Sequence, residues 1–214
     1  MPPHIVVAID GPSGSGKSSV SRAIAKQFGM AYLDTGAMYR AITWWRMRGE
    51  SRPCPLDMST NPDIAEVVVD GVDITEEIRG AAVTGAVSQI ASDPDVRAEA
   101  VALQQQLIAA APHGIVVEGR DITSVVAPNA DVRIFLTADL AAREARRAAE
   151  FAHDASQADA VAAAVAARDA IDSTRAHSPL RKVDGVTEID ATHLTLPEVI
   201  ETVADLVQSA GGGA

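Results

Sequence analysis

The sequence predicts an α/β fold in which a parallel five-stranded sheet is covered by helices on both faces. Short apolar runs alternate with helix-like segments along most of the 214 residues, a pattern typical of such sheets. The first run, IVVAI, is followed by the glycine-rich turn GPSGSGKS and then by a helical pattern. Hydrophobic residues make up 47% of the chain and charged residues 22%, which suits one globular domain with a substantial core.

Apolar runs of four or five residues predict the strands at 5–9, 31–34, 115–118, 132–136 and 186–190. Helical spacing predicts helices at 18–28, 37–48, 80–92, 94–111, 138–151, 159–171 and 197–208. Residues 51–63, rich in proline and serine, are predicted to be a loop, and 152–158 a break. The run VVVDGVDI at 67–74 predicts a β-hairpin with an Asp-Gly turn, which interrupts the strand–helix alternation.

The turn at residues 11–18 has the spacing G-x-x-x-x-G-K-S of a phosphate-binding loop. Glycines allow backbone conformations that turn successive N–H groups toward an anion, and the helix that follows adds its N-terminal amides. Lys17 is predicted to reach the β- and γ-phosphates, and the Ser18 hydroxyl to bind Mg²⁺. A glycine-rich turn with a surface lysine is the alternative, but the glycines, the Lys-Ser pair and the flanking elements together favour a nucleoside triphosphate site.

Composition excludes several classes of function. The net charge of −11 makes nucleic acid and anionic membranes unsuitable partners. Cys54 is the one cysteine, so no intrachain disulfide can form, and no Cys/His cluster has zinc spacing. No apolar segment is long enough to span a membrane, and Asp10 interrupts the only N-terminal apolar run, so a cytoplasmic location is expected.

Arginines follow the ends of two predicted strands. Arg40 lies just beyond the second strand and Arg120 just beyond VVEG, while Arg168 and Arg175 bracket Asp172 in RDAIDSTR. Strand ends of an open α/β sheet converge on one crevice, so these residues are expected to meet near the phosphates. For each arginine taken singly, the alternative is a surface ion pair worth less than about 1 kcal/mol.

Seven blocks of the sequence, in order, closely resemble bacterial cytidylate kinases, which belong to the nucleoside monophosphate kinase group of P-loop proteins. These blocks are GPSGSGKSS, LDTGAMYRA, GVDITEEIR, VSQIASDPDVR, VVEGRDI, FLTAD and RDAIDSTRAHSPL. They extend from residue 5 to about residue 190. The combination of LDTGAMYR, GRD and R-x-x-x-D-x-x-R is far more specific than the loop alone.

The resemblance implies pyrimidine nucleotide metabolism, with transfer of a phosphoryl group from ATP to CMP or dCMP and Mg²⁺ bound with the ATP. It implies a single domain over 1–214, with a core at about 1–50, 112–150 and 176–210. A monophosphate-binding insertion with the β-hairpin would cover about 51–111, and a helical lid about 151–175. A monomer is expected.

The resemblance also implies the binding residues. Those expected to bind ATP are the loop residues and two arginines: Gly11, Pro12, Ser13, Gly14, Ser15, Gly16, Lys17, Ser18, Ser19, Arg146 and Arg147, with Arg143 on the same helix. Those expected around the CMP phosphate are Thr35, Arg40, Arg120 and Arg175. Lys17, Arg40, Arg120 and Arg175 are the expected catalytic set.

The base and the ribose have their own expected partners. Ser88, Arg97 and Asp121 resemble the cytosine readers, and Arg168 with Asp172 resembles the pair that holds the ribose. A carboxylate can accept a hydrogen bond from the cytosine N4 amino group, whereas uracil presents an oxygen there. A local cap on the GRD turn is the alternative role for Asp121. For Asp34, positioning of magnesium-bound water and a capping role after the second strand are both open.

The chain departs from the family pattern at three places. The family block GRD-Ile-Gly-Thr-Val-Val reads here GRD-Ile-Thr-Ser-Val-Val, so that Thr123 stands where a glycine is usual. The segment 181–185 differs from the usual alanine-rich run, and the stretch between residues 48 and 71 is short. Three alternatives stay open: another small-molecule P-loop kinase, acting for example on shikimate, a nucleotide-dependent binding module, and a catalytically inactive relative. A GTPase is excluded because no Asn-Lys-x-Asp block occurs.

Overall fold

The computed structural model describes residues 4–150, 170–172, 174 and 180–211, without the side chains of 147, 149 and 150. In chain order the strands are β1 (Val6–Asp10), β2 (Ala31–Asp34), β3 (Leu56–Met58), β4 (Val67–Val69), β5 (Val72–Asp73), β6 (Ile115–Gly119), β7 (Val132–Thr137) and β8 (Thr187–Asp190). The helices are α1 (Lys17–Phe28), α2 (Thr35–Arg46), α3 (Ala81–Ile90), α4 (Pro94–Ala110), α5 (Leu140–Glu150) and α6 (Leu196–Gly211). A 3₁₀ turn covers Glu77–Arg79 and a π-helical turn covers Ile122–Val126.

The predicted parallel five-stranded sheet is confirmed. Its order is β2-β6-β1-β7-β8, and every neighbouring pair is parallel. β1 lies in the centre, with Asp10 opposite both Gly119 of β6 and Phe135 of β7. Because all strands run the same way, their carboxyl ends lie at one edge of the sheet, where ligands of open α/β sheets bind.

Helices cover both faces of this sheet, as the alternating pattern predicts. On one face, Val7 and Ile9 of β1 pack in a cluster with α1 and α6. On the other face, Ala8 of β1 packs in a second cluster with α2 and α4. Successive side chains of a strand point to opposite faces, so the uninterrupted apolar sequence of β1 reflects burial on both of them.

A second, antiparallel sheet has the order β3-β4-β5. The predicted hairpin is confirmed, with Asp70 (φ 53°) and Gly71 (φ 78°) in the left-handed conformation that its two-residue turn needs. The prediction of a loop throughout 51–63 is wrong at 56–58, where β3 pairs with β4. Local sequence gives little sign of β3, because its partner residues lie 9 to 13 positions away and supply both hydrogen bonds and apolar contacts.

Some helix limits differ from those predicted. α2 begins at Thr35 rather than at residue 37, because the Asp34 carboxylate accepts a hydrogen bond from Ala37 N at 2.9 Å and caps the helix. The π-helical turn after β6 has no signature in the sequence. Most of the predicted helix at 159–171 and of the proposed lid lies outside the described residues. None of the described helices combines the length and the apolar character needed to cross a membrane.

Candidate active site

The glycine-rich loop connects the central strand β1 to helix α1, and two of its glycines are required by close contacts. A Cβ on Gly11 would lie 2.0 Å from the carbonyl oxygen of Leu136 in β7. A Cβ on Gly14, whose φ is 77°, would lie 2.8 Å from the carbonyl oxygen of Arg143 in α5. No side chain caps the start of α1, as expected for a helix whose first amides face an anion.

Lys17 lies across this loop rather than on the surface. Its side chain is buried, and its Nζ donates a hydrogen bond to the Pro12 carbonyl at 2.7 Å and to Ser15 Oγ at 3.4 Å. The ammonium group is therefore held over the concave side of the loop. A phosphate bound there would meet a charge that is already in place, so the interpretation of a surface lysine is wrong.

Two arginines of α5 hold the loop from outside. Arg143 donates to the Ser13 carbonyl at 3.0 Å and to the Ala138 carbonyl at 3.0 Å. Arg146 donates to the Ser15 carbonyl at 3.4 Å and to the Ala191 carbonyl at 2.5 Å. These contacts fix the loop against α5 and the segment after β8. The side chain of Arg147 lies outside the described residues.

The arginines expected around the acceptor phosphate are also held by protein groups. Arg40 donates to the Ile78 carbonyl at 2.9 Å and to Thr84 Oγ1 at 2.8 Å. Arg120 donates from Nε to Asp172 Oδ2 at 2.9 Å. The proposed ribose carboxylate and a proposed phosphate arginine are thus brought together across 52 residues of sequence. Arg168 and Arg175 lie outside the described residues.

The residues expected to read the base form a buried ion pair. Arg97 of α4 donates to the carboxylate of Asp121, which follows β6, and both side chains are almost fully buried. Arg97 also donates to the Ala91 carbonyl at 3.1 Å, and its guanidinium lies 5.5 Å from the centre of the Tyr39 ring. Ser88 is buried on α3. The structure therefore joins two of the three expected base readers.

Comparisons with known proteins identify the family. The family model described as cytidylate kinase matches residues 7–209. The chain belongs to the cytidylate kinase family. Relatives named cytidylate kinase from Streptomyces avermitilis and Streptomyces griseus are 45% and 47% identical to it, over 96% and 95% of this chain and 94% and 93% of those proteins. One from Nocardia farcinica is 45% identical over 95% of this chain and 93% of that protein.

Solved structures with low identity share the fold. An uncharacterized protein from Eubacterium ventriosum has a TM-score of 0.56 at 11% identity and covers 96% of this chain and 99% of its own. TT1252 from Thermus thermophilus has a TM-score of 0.53 at 18% identity, covering 96% and 97% respectively. These likenesses concern the arrangement of helices and strands alone.

Glu118 lies among the side chains of the candidate site, and the sequence interpretation missed it. Its carboxylate accepts hydrogen bonds from Ser18 Oγ at 3.0 Å and from Tyr32 OH at 2.5 Å. Its backbone carbonyl accepts a bond from Thr35 Oγ1 at 2.6 Å. Glu118 thus joins the phosphate loop helix to β2 and α2. The signal in the sequence is an acidic residue at the end of an apolar strand, in VVEGRD.

The environment of Glu118 favours its protonated form. Burial raises the pKa of the carboxyl to about 7, and the negative charge of Asp34 acts in the same direction. The ammonium of Lys17 and the donated bonds from Tyr32 and Ser18 oppose this shift. Burial likewise raises the pKa of Tyr32, as does the neighbouring Glu118, so the phenol stays a donor. A cation placed beside Ser18 would favour the ionised form of Glu118.

Replacing Glu118 tests this account through the pH dependence of stability. The folded-state pKa is raised from 4.5 to about 7, so protonated Glu118 contributes stability at low pH, and this contribution is lost as pH rises through that interval and the buried carboxyl ionises. The free energy of unfolding is measured without Mg²⁺ or nucleotide. The difference between Glu118→Gln and the wild type should shift in favour of the variant by up to about 3 kcal/mol from about pH 5 to about pH 8. Urea unfolding across that range measures the difference.

The matched control is Glu188→Gln, which removes an exposed carboxylate paired with Lys182 at 2.8 Å. A surface pair of this kind is worth less than about 1 kcal/mol, so the variant should track the wild type at every pH. A Glu118→Gln protein whose stability stays parallel to that of the wild type would show that Glu118 does not titrate in this range.

Proposed function

We propose that this chain transfers the γ-phosphoryl group of ATP to CMP and dCMP, giving ADP with CDP or dCDP. The observation that carries the proposal is the position of Arg120 and Asp121. They directly follow β6, the hydrogen-bonded neighbour of β1, which leads into the phosphate loop. The residues proposed to bind CMP and the loop proposed to bind ATP thus follow neighbouring strands at the same edge of the sheet. Family membership over residues 7–209 supports the same reaction.

The donor nucleotide is proposed to bind along residues 11–19, with Lys17 on the β- and γ-phosphates. Ser18 and Glu118 provide oxygen ligands of the kind Mg²⁺ prefers, and they lie 3.0 Å apart. The described residues contain no group of three His, Cys, Asp or Glu side chains that could hold a metal by themselves. This fits a cation held mainly by ATP phosphates, where it would neutralise charge on the transferred group.

The CMP phosphate is proposed to bind Thr35, Arg40, Arg120 and Arg175. Arg40 donates to the Ile78 carbonyl and to the Thr84 hydroxyl. A phosphate dianion is a stronger acceptor than a carbonyl or a hydroxyl, so it would compete for these donors. No general base is required, because the acceptor phosphate is already ionised and the reaction depends mainly on positioning and charge neutralisation.

Recognition of cytosine is proposed to depend on Asp121, supported by Arg97 and Ser88. Asp121 would accept the N4 amino group of cytosine, and uracil would leave it without this donor. Sites that depend on buried polar pairing reject the wrong partner far better than apolar pockets do. Asp172 with Arg168 would hold the ribose. Asp34 caps α2, and its second proposed role, on magnesium-bound water, stays a prediction.

We also propose a division of the chain into three parts. Residues 51–111, which contain the antiparallel sheet, would form the monophosphate-binding insertion, and 151–175 the lid. The rest would form the core. The expected monomer, the cytoplasmic location and the absence of a nucleic-acid partner stay predictions, the last of them supported by the net charge of −11.

The proposed function is tested by measuring ADP release with Mg²⁺ and ATP, one acceptor at a time: CMP, dCMP, UMP, AMP, GMP, shikimate and none. Turnover should be fast with CMP and dCMP and slow with the others. Fast turnover only with shikimate or another small molecule would establish a different P-loop kinase. ATP binding without any turnover would establish a binding module or an inactive relative.

Lys17→Ala should lower kcat for CMP by a factor of about 10³ or more, because the lysine ammonium that would neutralise charge on the transferred phosphoryl group is removed. The fold should persist, since the helix start and the loop glycines are unchanged. Steady-state kinetics and thermal unfolding measure the two effects. The control is Lys182→Ala, an exposed lysine of the Glu188 pair, which should keep wild-type kinetics. Normal turnover in Lys17→Ala would contradict the assignment of the loop.

Asp121→Asn should lower the preference for CMP over UMP by about tenfold or more, because an amide can donate to the uracil oxygen as well as accept. The ratio of kcat/KM values for the two acceptors measures this preference. Asp121→Ala is the harsher variant, since it removes the side-chain acceptor of the buried Arg97, whereas asparagine keeps an amide oxygen, and a loss of stability is expected for the alanine variant. An unchanged ratio in folded Asp121→Asn would remove Asp121 from base reading and favour the capping role.

A further inference from the structure

The buried carboxylate of Asp10 connects the central strand to the turn that follows β6. Asp10 is the last residue of β1 and directly precedes Gly11 of the phosphate loop. Its Oδ1 accepts a hydrogen bond from Ile122 N at 2.9 Å. Its Oδ2 accepts from Thr123 N at 2.8 Å and from Thr123 Oγ1 at 2.7 Å. Two segments more than a hundred residues apart thus share one carboxylate.

A carboxylate at this depth depends on its donors. Asp10 is completely buried, and both burial and the nearby Asp121 raise its pKa, while the bonds from Thr123 and Ile122 lower it. Two of the three donors are backbone amides, which any residue but proline would supply. The third is the Thr123 hydroxyl, which only Thr or Ser can provide in this position.

The turn that Asp10 holds also fixes the backbone of Asp121. Val125 N donates to the Asp121 carbonyl at 2.9 Å, within the π-helical turn at Ile122–Val126. The other end is tightly packed, since a Cβ on Gly119 would lie 2.7 Å from Thr35 Oγ1. Arg120 and Asp121 lie between these two anchors, so a change at Thr123 is transmitted to them.

We propose that Thr123 is a positioning residue: with Asp10, it ties the turn that carries Arg120 and Asp121 to the strand that leads into the phosphate loop. The inference rests on the proposed function for its kinetic consequences. Thr123 is fully buried and its hydroxyl donates to Asp10, so its proposed effect passes through the turn. Loss of its hydroxyl should therefore loosen acceptor binding and base reading, whereas the donor loop, which is held separately by Arg143 and Arg146, should be affected less.

The experiment compares three substitutions. Thr123→Val keeps the shape and removes the hydroxyl, and Thr123→Ser keeps the hydroxyl. The matched control is Thr43→Val, which also removes a fully buried hydroxyl, one that donates to the Tyr39 carbonyl at 2.7 Å within α2. Measured quantities are kcat, KM for CMP at saturating ATP, KM for ATP at saturating CMP, the CMP-to-UMP ratio of kcat/KM, and thermal stability.

Thr123→Val is expected to raise KM for CMP and lower the CMP-to-UMP ratio by about five- to tenfold, with KM for ATP changed about twofold or less. Thr123→Ser should restore both acceptor parameters to near wild-type values. Thr43→Val should lose thermal stability while keeping the wild-type ratio and both KM values. The proposal is overturned if Thr123→Val behaves as Thr43→Val does, if both KM values rise equally, or if the serine variant shows no rescue.

Amide hydrogen exchange provides a readout that does not require turnover. In Thr123→Val, exchange should become faster in peptides covering 119–126 and in the strand end at 9–11, and should stay unchanged in α6. Thr43→Val should leave both regions as in the wild type. A wild-type protein without CMP turnover would refute the proposed function, and the exchange comparison would then decide the tie between Asp10 and Thr123 on its own. Unchanged exchange at 119–126 in Thr123→Val would refute the proposed tie between Asp10 and Thr123.

Discussion

The central position of β1 in the sheet constrains every part of the site. β1 has hydrogen-bonded neighbours on both sides and helices over both faces, so this strand can meet a charged ligand only at its ends. All five strands are parallel, and the segments after β2, β6, β7 and β8 leave the sheet at the same edge. The topology therefore makes neighbours of three features that are far apart in the sequence: the glycine-rich loop, the arginines proposed to bind the CMP phosphate, and the contacts from α5.

Buried acids then set how precisely these segments fit together. Asp10, Glu118 and Asp121 are all buried at this edge, where an unpaired carboxylate would cost several kcal/mol. Each has donors from another element: the π-helical turn for Asp10, α1 and β2 for Glu118, and α4 for Asp121. Each carboxylate thus fixes the relative position of two distant segments before any substrate arrives. Phosphoryl transfer, which depends on positioning and charge, gains from that rigidity.

What the sequence could predict follows from how local each signal is. Some signals consist of residues that are adjacent in the sequence, namely the glycine-rich loop, the Asp-Gly hairpin and the apolar strands. The structure contains these elements where the sequence predicts them. The family resemblance groups Arg97 and Asp121 as base readers, but nothing in the local sequence indicates their ion pair. The sequence analysis assigns no role to Glu118 or Asp10, because their hydrogen-bond donors are far away in the sequence. Tyr32 and Ser18 lie 86 and 100 residues from Glu118, and Thr123 lies 113 residues from Asp10. β3 is recognisable only through its pairing with β4, 9 to 13 residues further along the chain.

The arginine contacts bear on which acceptor the proposed site suits. Arg40 donates to the Ile78 carbonyl and to Thr84 Oγ1, and a phosphate is a stronger acceptor than either of these oxygens. Arg120 donates to Asp172, which is charged and mostly buried. A ligand that drew Arg120 away with a phosphate alone would deprive Asp172 of that charged donor. A nucleotide brings a sugar hydroxyl as well, which can donate to Asp172 in return. In the proposed site, an acceptor with a phosphate and a sugar at the right separation would offer a partner to each of these two groups, whereas a free phosphate would offer one to the arginine alone.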